Sequence, residues 1–310
     1  MVTRIAWLLN LDAERELADP KHYAPSPVLE ARIEALLPRL TLLLASEDCI
    51  VGRDVDLAQA SEVLAFCPTR SASTRITRAG LVAPAAPPMS VLRQVNSRAF
   101  CAALGQTLPG ATYVRELASL ERVLAGPRPA QGFLLKRDFG FAGRERRRVI
   151  EAHRSGGREG NRVATLDASS LGFARRSFAL GQGLQVEPWC QRTHDFALHG
   201  YVFRSGKLLL GQPLAQHTDD QGSWLRSSTL AEGALTDPER AALQHATREA
   251  GSALAAAGYF GPYGCDAFRY LDVNGEPAFQ PRSEINARFS MGYPRGLLEA
   301  ALLVPDYRLD

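Results

Sequence analysis

The chain has 310 residues and a formal net charge of +3 at pH 7, with 45% hydrophobic and 22% charged residues. This length allows about two domains, or one lobed domain, with a sizeable buried core. A charge this small does not indicate nucleic-acid binding by itself, and no apolar run reaches the ~20 residues of a membrane span, so we expect neither nucleic acid nor membrane as a partner.

The five cysteines are scattered, and no pair has metal-ligand spacing such as C-x-x-C. An odd number of cysteines in a chain of this size is not typical of a disulfide framework, so we expect reduced thiols in a cytoplasmic protein. The first apolar run is short and is interrupted by Asn10 and Asp12, which is not the pattern of a signal peptide.

The beginning of the chain alternates short strand and helix patterns. Ile5–Leu9 is predicted as a strand, and the leucine spacing in Ala31–Leu44 predicts a helix that is broken by Pro38. Glu62–Phe66 is predicted as a second strand. The proline-rich Ala83–Pro88 can hold neither a helix nor a central strand, so we predict that a small domain ends there.

The middle of the chain begins with an amphipathic pattern over Val91–Leu104, which is predicted as a single helix. Leu117–Leu124 is predicted as another helix, and Phe133–Lys136 as a short apolar strand. Leu171–Leu180 has helical spacing. Leu184–Glu187 is predicted as a strand that is stopped by Pro188.

The last third of the chain is predicted to contain two hairpins and a long helix. Phe196–Phe203 and Lys207–Leu210 alternate like paired strands around a Ser-Gly turn. Asp237–Ala257 is the strongest predicted helix, with proline in its first turn and glycine after its end. Asp266–Leu271 and Pro277–Gln280 flank the sequence DVNG, which predicts a hairpin turn.

The segment after Lys136 is the most basic part of the chain. Gly140 and Gly143 are followed by arginines that end at Arg148. Glycines let backbone N–H groups approach an anion closely, and a lysine at a strand end offers a point charge to phosphate. An arginine-rich surface hairpin explains this segment equally well, since a lone glycine-rich loop is a weak signal.

Two acidic residues and an asparagine near the end of the chain predict a metal site. Alternate side chains of a strand share a face, so Glu284 and Asn286 project together, and the DVNG hairpin can bring Asp266 beside them. Carboxylate and amide oxygens suit Mg²⁺. The alternative is a solvated hairpin in which Glu284 forms an ion pair with Arg282 or Arg288.

A strand that ends in Glu187 and Pro188 leaves free backbone groups at its tip. Such a tip can present one hydrogen-bond donor and one acceptor to the edge of an adenine. An ordinary strand end is the alternative interpretation of the same residues.

Taken in order, these segments resemble the ATP-grasp superfamily, which includes the D-alanine–D-alanine ligases and other carboxylate–amine ligases. The resemblance is carried by FLLKRDFGFAG, LQVEPW, CDAFRY and SEINAR, and it spans about two-thirds of the chain, from Val91 to Met291. It implies an α+β or α/β chain with the ATP-grasp fold, in which two α+β lobes clasp ATP after a small α/β N-terminal domain. We predict the N-terminal domain over residues 1–90, the small lobe with its phosphate flap over 91–190, and the large lobe with the metal site over 191–310.

The resemblance implies which residues hold the nucleotide. Lys136 would contact the ATP phosphates and the adenine side, and Gly140 and Gly143 would belong to the flap over the phosphates. Glu187 would lie at the adenine hinge, and Asp195 would lie near the ribose.

The resemblance also implies the metal ligands and a catalytic residue. Asp266, Glu284 and Asn286 would bind Mg²⁺ or Mn²⁺. Arg288 is a candidate catalytic residue for the γ-phosphate or an acyl phosphate. Arg98 falls where the family usually has a lysine, a substitution that keeps the charge and changes the geometry of a phosphate contact.

The activity implied is that of an ATP-dependent carboxylate–amine or carboxylate–thiol ligase. ATP would activate a carboxylate as an acyl phosphate, which an amine or another nucleophile then attacks. The expected substrates are small-molecule or peptide carboxylates and amines. The sequence leaves open whether the chain forms a homodimer. The alternatives are a phosphotransferase on the same scaffold and a protein that binds ATP without chemistry.

The chain departs from the family pattern at two places. The ligases usually carry an arginine two residues before the first acid, where this chain has Gly264. The N-terminal domain does not match a standard version, which leaves the acceptor substrate open. Asp272 is a rival candidate for a metal ligand in the segment from Asp266 to Glu284, although its position in the turn makes it the weaker candidate.

Overall fold

The computed structural model contains three β-sheets with helices packed against them. It describes residues 4–25, 27–41, 44, 47–54, 57–105, 108–126, 131–140, 145–149, 166–219, 224–293 and 297. The mixed content of helices and strands confirms the predicted fold class.

The first sheet has three parallel strands in the order β2-β1-β3. Its strands are β1 Ile5–Leu8, β2 Cys49–Ile50 and β3 Glu62–Ala65. The helices of this region are α1 Ala13–Ala18, α2 Pro27–Thr41 and α3 Arg70–Arg78. Leu8 packs in one buried cluster and Trp7 in another, so both faces of the sheet are covered, as is usual for parallel strands.

The predicted break of a helix at Pro38 is wrong. Helix α2 begins at Pro27 and continues through Pro38 to Thr41. A proline removes one backbone hydrogen bond of a helix, and here the remaining bonds carry the helix for almost another turn.

The predicted single helix over Val91–Leu104 is also wrong. The structure has two short helices, α4 Met89–Val95 and α5 Arg98–Ala103. The Asn96 side chain donates to the Leu92 carbonyl at 2.9 Å and accepts from the Ala287 N–H at 3.0 Å, which holds the chain out of the helix at this point. Ser97 then caps α5 through the Phe100 N–H.

The second sheet has four antiparallel strands in the order β4-β7-β5-β6. They are β4 Thr112–Val114, β5 Phe133–Arg137, β6 Arg146–Val149 and β7 Leu184–Pro188. Helices α6 Leu117–Ala125 and α7 Ala168–Ala179 cover one face, where Leu120 and Phe173 pack against Leu135. The other face carries Lys136, the next residue along β5.

The third sheet has the strand order β11-β10-β8-β12-β13, and β9 also pairs with β8. Its strands are β8 Gln191–Val202, β9 Leu208–Leu210, β10 Leu214–Thr218, β11 Trp224–Thr229, β12 Gly261–Leu271 and β13 Pro277–Asn286. The predicted hairpins around Ser205-Gly206 and DVNG are confirmed as β8–β9 and β12–β13.

Helix α8, Asp237–Ala256, covers one face of the third sheet. Its N-terminus has a capping box between Thr236 and Glu239. Leu243 of α8 packs against Phe196 and Ala267 of the sheet. Alternation along the strands therefore turns Asp195 and Asp266 to the opposite face, away from α8.

All five cysteines are free thiols. Among the described residues, no helix is long and apolar enough to cross a membrane.

Candidate active site

The predicted acidic cluster forms on the face of the third sheet that α8 leaves uncovered. Asp266 of β12 lies directly opposite Glu284 of β13, and Gly264 lies opposite Asn286. Paired residues in an antiparallel sheet project to the same face, so the two acids and the amide converge there. Asn286 Nδ2 donates to Asp266 Oδ2 at 3.1 Å.

Asp266 is held by two neutral amides. Besides Asn286, Gln216 of β10 donates from Nε2 to Asp266 Oδ1 at 3.1 Å. Burial, together with the neighbouring Glu284, raises the pKa of Asp266 to about 6 although these hydrogen bonds favour its ionised form. Two carboxylates therefore face each other here in a setting that disfavours the second negative charge.

Glu284 is paired with a cation across the gap between the second and third sheets. Arg98 Nη2 lies 3.1 Å from Glu284 Oε1, and Arg98 Nε donates to the Arg137 carbonyl at 2.9 Å. Burial opposes the ionisation of Glu284, but Arg98, Lys136 and Arg288 outweigh it and lower the pKa of this carboxyl. The ion pair with Arg282 or Arg288 that the sequence left open is thus replaced by one with Arg98.

Lys136 forms a buried ion pair within its own sheet. Its Nζ lies 2.6 Å from Glu187 Oε2, and the two side chains are 7% and 4% exposed. Burial lowers the pKa of Lys136, Glu187 opposes that shift, and the nearby Arg98 and Arg192 add to it. The two residues predicted to hold the nucleotide are therefore in contact with each other.

A pocket beside Arg98 is lined from both sheets. Gln185 of β7 and Glu284 of β13 contribute to the same walls. Lys136 is in register with Gln185, which lines this cleft between the sheets, and Lys136 lowers the pKa of Glu284. The role of Lys136 in holding a nucleotide stays a prediction.

The last arginines of the basic segment lie on strand β6, which pairs with β5, so the hairpin that the sequence left open as an alternative is observed here; residues 141–144 fall outside the described residues. Arg146 pairs with Lys136 in the β5–β6 hairpin and shares its face, whereas Arg147 lies on the other face and is exposed. Burial lowers the pKa of Arg146, and Arg192 and Arg98 lower it further, so these cations lie near one another. Gly140 lies three residues after the end of β5, and Gly143 falls outside the described residues.

One backbone donor at the strand tip after Glu187 is hydrogen-bonded, while the predicted place of Glu187 at an adenine stays a prediction. β7 includes Pro188, and the Trp189 N–H donates to the Gly132 carbonyl at 2.9 Å. This donor is therefore already used and is not available to an adenine edge.

Asp195 lies on the same sheet face as Asp266, two strand positions along β8 from its partner Ala197. Its two carboxylate oxygens accept hydrogen bonds from Arg192 Nη1 and Thr218 Oγ1, both at 3.2 Å. It thus extends the acidic face towards β10.

Arg288 is directed towards the N-terminal sheet. Its guanidinium forms an ion pair with Glu14 of α1, and both residues are buried. Arg288 Nη1 donates to the Phe289 carbonyl at 3.1 Å, and Arg288 also lies over the Phe66 ring. The expected catalytic role of Arg288 stays a prediction, and Glu14 is a partner that the sequence did not indicate.

The donor set on the acidic face fits a divalent cation. Asp266 and Glu284 supply carboxylates that repel each other, and Asn286 supplies an amide oxygen, all of them hard ligands. Among the described residues, no group of three or more His, Cys, Asp or Glu side chains could hold a metal ion. A metal here would therefore keep positions for phosphate oxygens and water, as Mg²⁺ usually does.

No protein-family model matches the chain, and no curated protein sequence matches it. Solved structures do match. Biotin carboxylase from Campylobacter jejuni, as its β,γ-ATP complex, superposes with a TM-score of 0.52 and 15% identity over 93% of this chain and 66% of its own. Pyruvate carboxylase from Rhizobium etli gives a TM-score of 0.52 and 16% identity over 93% of this chain and 26% of its own.

Such neighbours are ATP-grasp proteins. This chain has the ATP-grasp fold. N5-carboxyaminoimidazole ribonucleotide synthetase from Thermus thermophilus is also similar, with a TM-score of 0.48 and 20% identity over 92% of this chain and 71% of its own. At these identities the likeness establishes the fold, and the chemistry has to be inferred from the site itself.

Within the ATP-grasp fold, three features of the site were missed by sequence reasoning. Gln216 as a partner of Asp266, Glu14 as a partner of Arg288 and Arg192 near Lys136 depend on contacts between separate elements. Not even Gln216 had a local signal, because its neighbours on the other face of β10 are Ala215 and the polar His217. The space above Gly264, where the ligases carry an arginine, is filled by the ring of His199.

Proposed function

We propose that this protein is an ATP-dependent ligase that activates a carboxylate as an acyl phosphate for attack by an amine or a thiol. The observation that carries the proposal is the pair of opposed faces across the cleft. Lys136 and Arg98 approach from one side, and Asp266, Glu284 and Asn286 approach from the other. A magnesium nucleotide has the charge distribution that complements both faces.

The chain's own residues would bind and neutralise the nucleotide. Lys136, Arg98 and Arg146 would offer positive charge to the phosphates, and Asp195 would lie beside the ribose. Asp266, Glu284 and Asn286 would hold Mg²⁺ or Mn²⁺, which when bound supplies charge neutralisation at the β- and γ-phosphates.

The chemistry balances without a nucleophilic side chain. A substrate carboxylate oxygen bonds to the γ-phosphorus, and the bond from that phosphorus to ADP breaks. The amine nitrogen then bonds to the acyl carbon, the bond from carbon to the phosphate oxygen breaks, and inorganic phosphate and one proton leave. The cleft between the sheets would exclude water from the acyl phosphate.

The first test measures nucleotide binding. We expect Mg-ATP to raise the thermal midpoint of the protein, and we expect Glu284→Ala to abolish that rise. An unchanged response in the variant would contradict the metal role of Glu284.

The second test is a screen for ADP release over amino acids and small peptides, with mass analysis of the products. A joined product would support the ligase. A stable phosphate ester would instead identify a phosphotransferase, and binding of Mg-ATP without ADP release from any substrate would favour a non-catalytic protein.

A further inference from the structure

A histidine and a serine lie next to the acidic cluster on the nucleotide face. His199 of β8 is in register with Gly264 of β12, which is also in register with Asn286. Successive positions on one face of a strand are ~7 Å apart, so Gly264 is the next position after Asp266 on this face. His199 therefore adjoins the candidate metal ligands on the side away from Asp195.

His199 and Ser290 form a short hydrogen bond over Gly264. His199 Nε2 lies 2.6 Å from Ser290 Oγ. A Cβ atom at position 264 would lie 3.0 Å from His199 Cδ2 and 3.8 Å from Ser290 Oγ. The absence of a side chain at Gly264 is thus what lets this pair lie against the sheet.

The surroundings of His199 determine which way the Ser290 hydroxyl points. His199 is 1% exposed, and its Nδ1 has no hydrogen-bond partner among the described residues. Burial lowers its pKa to about 4, so the ring is neutral at neutral pH. A buried N–H without an acceptor is rare, which favours the tautomer with its hydrogen on Nε2.

With that tautomer, His199 donates to Ser290 Oγ and leaves the serine hydrogen available to a ligand. The Ser290 hydroxyl makes no other hydrogen bond to a described residue, and Ser290 is half-buried. A half-buried hydroxyl with its acceptor side occupied and its donor side free is suited to a ligand oxygen.

We infer that Ser290 contacts the carboxylate substrate, and that His199 is the positioning residue that orients its hydroxyl. The inference rests on the proposed function, because the nucleotide would run from Asp195 to the metal ligands at Asp266. The position beyond these ligands on the same face is where the group that receives the γ-phosphoryl would lie. Ser290 would donate to the carboxyl oxygen that is not phosphorylated.

Negative charge develops on that oxygen when the phosphoryl group is transferred from the acyl phosphate to ADP. When an acyl phosphate transfers its phosphoryl group to ADP, the bond from the acyl oxygen to phosphorus breaks and a carboxylate leaves. The Ser290 hydroxyl would stabilise the departing carboxylate and keep its own proton throughout. A neutral hydrogen bond of this kind is worth ~1.4 kcal/mol, or about tenfold in rate.

The test uses acetyl phosphate and Mg-ADP as probes, with ATP formation as the readout. We expect Ser290→Ala to lower kcat about tenfold and to leave the thermal shift caused by Mg-ADP unchanged. Ser290→Thr keeps the hydroxyl and should restore most of kcat. His199→Phe keeps a ring over Gly264, removes the donor, and should lower kcat without raising the KM for Mg-ADP.

The matched control is a second histidine–serine pair in the same sheet. His217 Nε2 lies 3.0 Å from Ser228 Oγ, and register places both on the α8 side of the sheet. Ser228→Ala should leave ATP formation at the wild-type level.

The outcomes separate this inference from the proposed function. Wild-type ATP formation with an unchanged Ser290→Ala variant would overturn the role of Ser290 and leave the ligase proposal intact. A loss of the Mg-ADP thermal shift in Ser290→Ala would show a structural role instead and would also overturn it. A wild-type protein that binds Mg-ADP and forms no ATP would contradict the ligase proposal, and the role of Ser290 would fall with it.

Discussion

The two faces that border the cleft differ in the sign of their charged side chains and in whether those side chains already have counter-ions. On the second sheet, Lys136 already has a counter-ion in Glu187 at 2.6 Å. On the third sheet, Asp266 is held by neutral amides and is repelled by Glu284. The cationic face is thus internally balanced, whereas on the acidic face Asp266 has no ion-pair partner among the described residues.

This difference indicates an order of events at the site. A balanced buried pair fixes its geometry before any ligand arrives, because each partner holds the other in place. Two neighbouring carboxylates that repel each other are stabilised most when a cation binds to them. The nucleotide's phosphates would therefore meet a preformed surface, and the metal would complete the opposite one.

The largest effect should come from breaking the balanced pair. Lys136→Met leaves Glu187 as a buried unpaired charge, and we expect the free energy of unfolding to fall by ~3–5 kcal/mol, measured by urea denaturation. Adding Glu187→Gln should recover most of that loss. The double variant should still fail to bind Mg-ATP, because the phosphate contact is gone. Recovery of nucleotide binding by the double variant would contradict the assignment of Lys136.

The next effect should come from the acidic face. Glu284→Gln keeps the shape of the side chain and removes its charge, and we expect ADP formation to fall at least ~100-fold. Glu276→Gln, an exposed acid on the same hairpin, is the matched control and should leave the rate unchanged. Equal losses in both variants would mean that the hairpin matters through its stability rather than through the metal.

The β5–β6 hairpin allows a comparison of adjacent arginines on opposite faces. Arg146→Gln should raise the KM for ATP about tenfold, equivalent to ~1.4 kcal/mol, because Arg146 shares the face of Lys136. Arg147→Gln changes the net charge by the same amount on the exposed face, and its KM should change little. Similar increases in both variants would indicate a general charge effect, which added salt would weaken.

The smallest effect concerns how pH changes the stability contributed by Asp266 on the acidic face. The pKa of Asp266 is raised to about 6 by burial, so its contribution to stability is complete at low pH and is lost as pH rises through that value. Without metal, Asp266→Asn should therefore gain stability relative to the wild type between pH 5 and pH 8, on the order of 1 kcal/mol.

Asp272→Asn should show the opposite trend and serves as the control. Hydrogen bonds from the backbone N–H groups of Glu276 and Asn274 lower the pKa of Asp272, so its contribution is present above the unfolded pKa and is lost as pH falls. Thermal midpoints across the pH series, measured with a chelator, test both variants. A gain for Asp266→Asn that does not depend on pH would rule out the titration of Asp266 as its cause.

The parts of the fold that local patterns control were predictable from sequence. Alternation and the DVNG turn were enough to put Asp266 and Glu284 on one face of the hairpin. Their direct pairing depends on a register shift between Asp266 and Phe268, which the sequence did not predict. The capped helix α8 was also predicted closely, since its end signals lie within its own sequence.

The failures occurred where distant residues decide the local structure. Asn96 interrupts a helical pattern because it bonds to Ala287, and no signal near Asn96 announces that partner. The direction of Arg288 depends in the same way on Glu14, from the other end of the chain. The sequence predicted which residue types lie at the site and which strand face carries them. It did not predict the contacts that these residues make with residues of other helices and strands.

The contact between the N-terminal sheet and the segment after β13 limits how the chain can be divided. The Phe289 N–H donates to the Phe66 carbonyl at 3.0 Å, and Phe289 packs against Trp7. A truncated chain that starts after the proline-rich residues 83–88 would lose the acceptor of this bond and the counter-ion of Arg288. The first sheet and α1 therefore hold Arg288 and Phe289 in place, and removing them should lower the stability of the remaining chain because the buried Arg288 would lose its counter-ion.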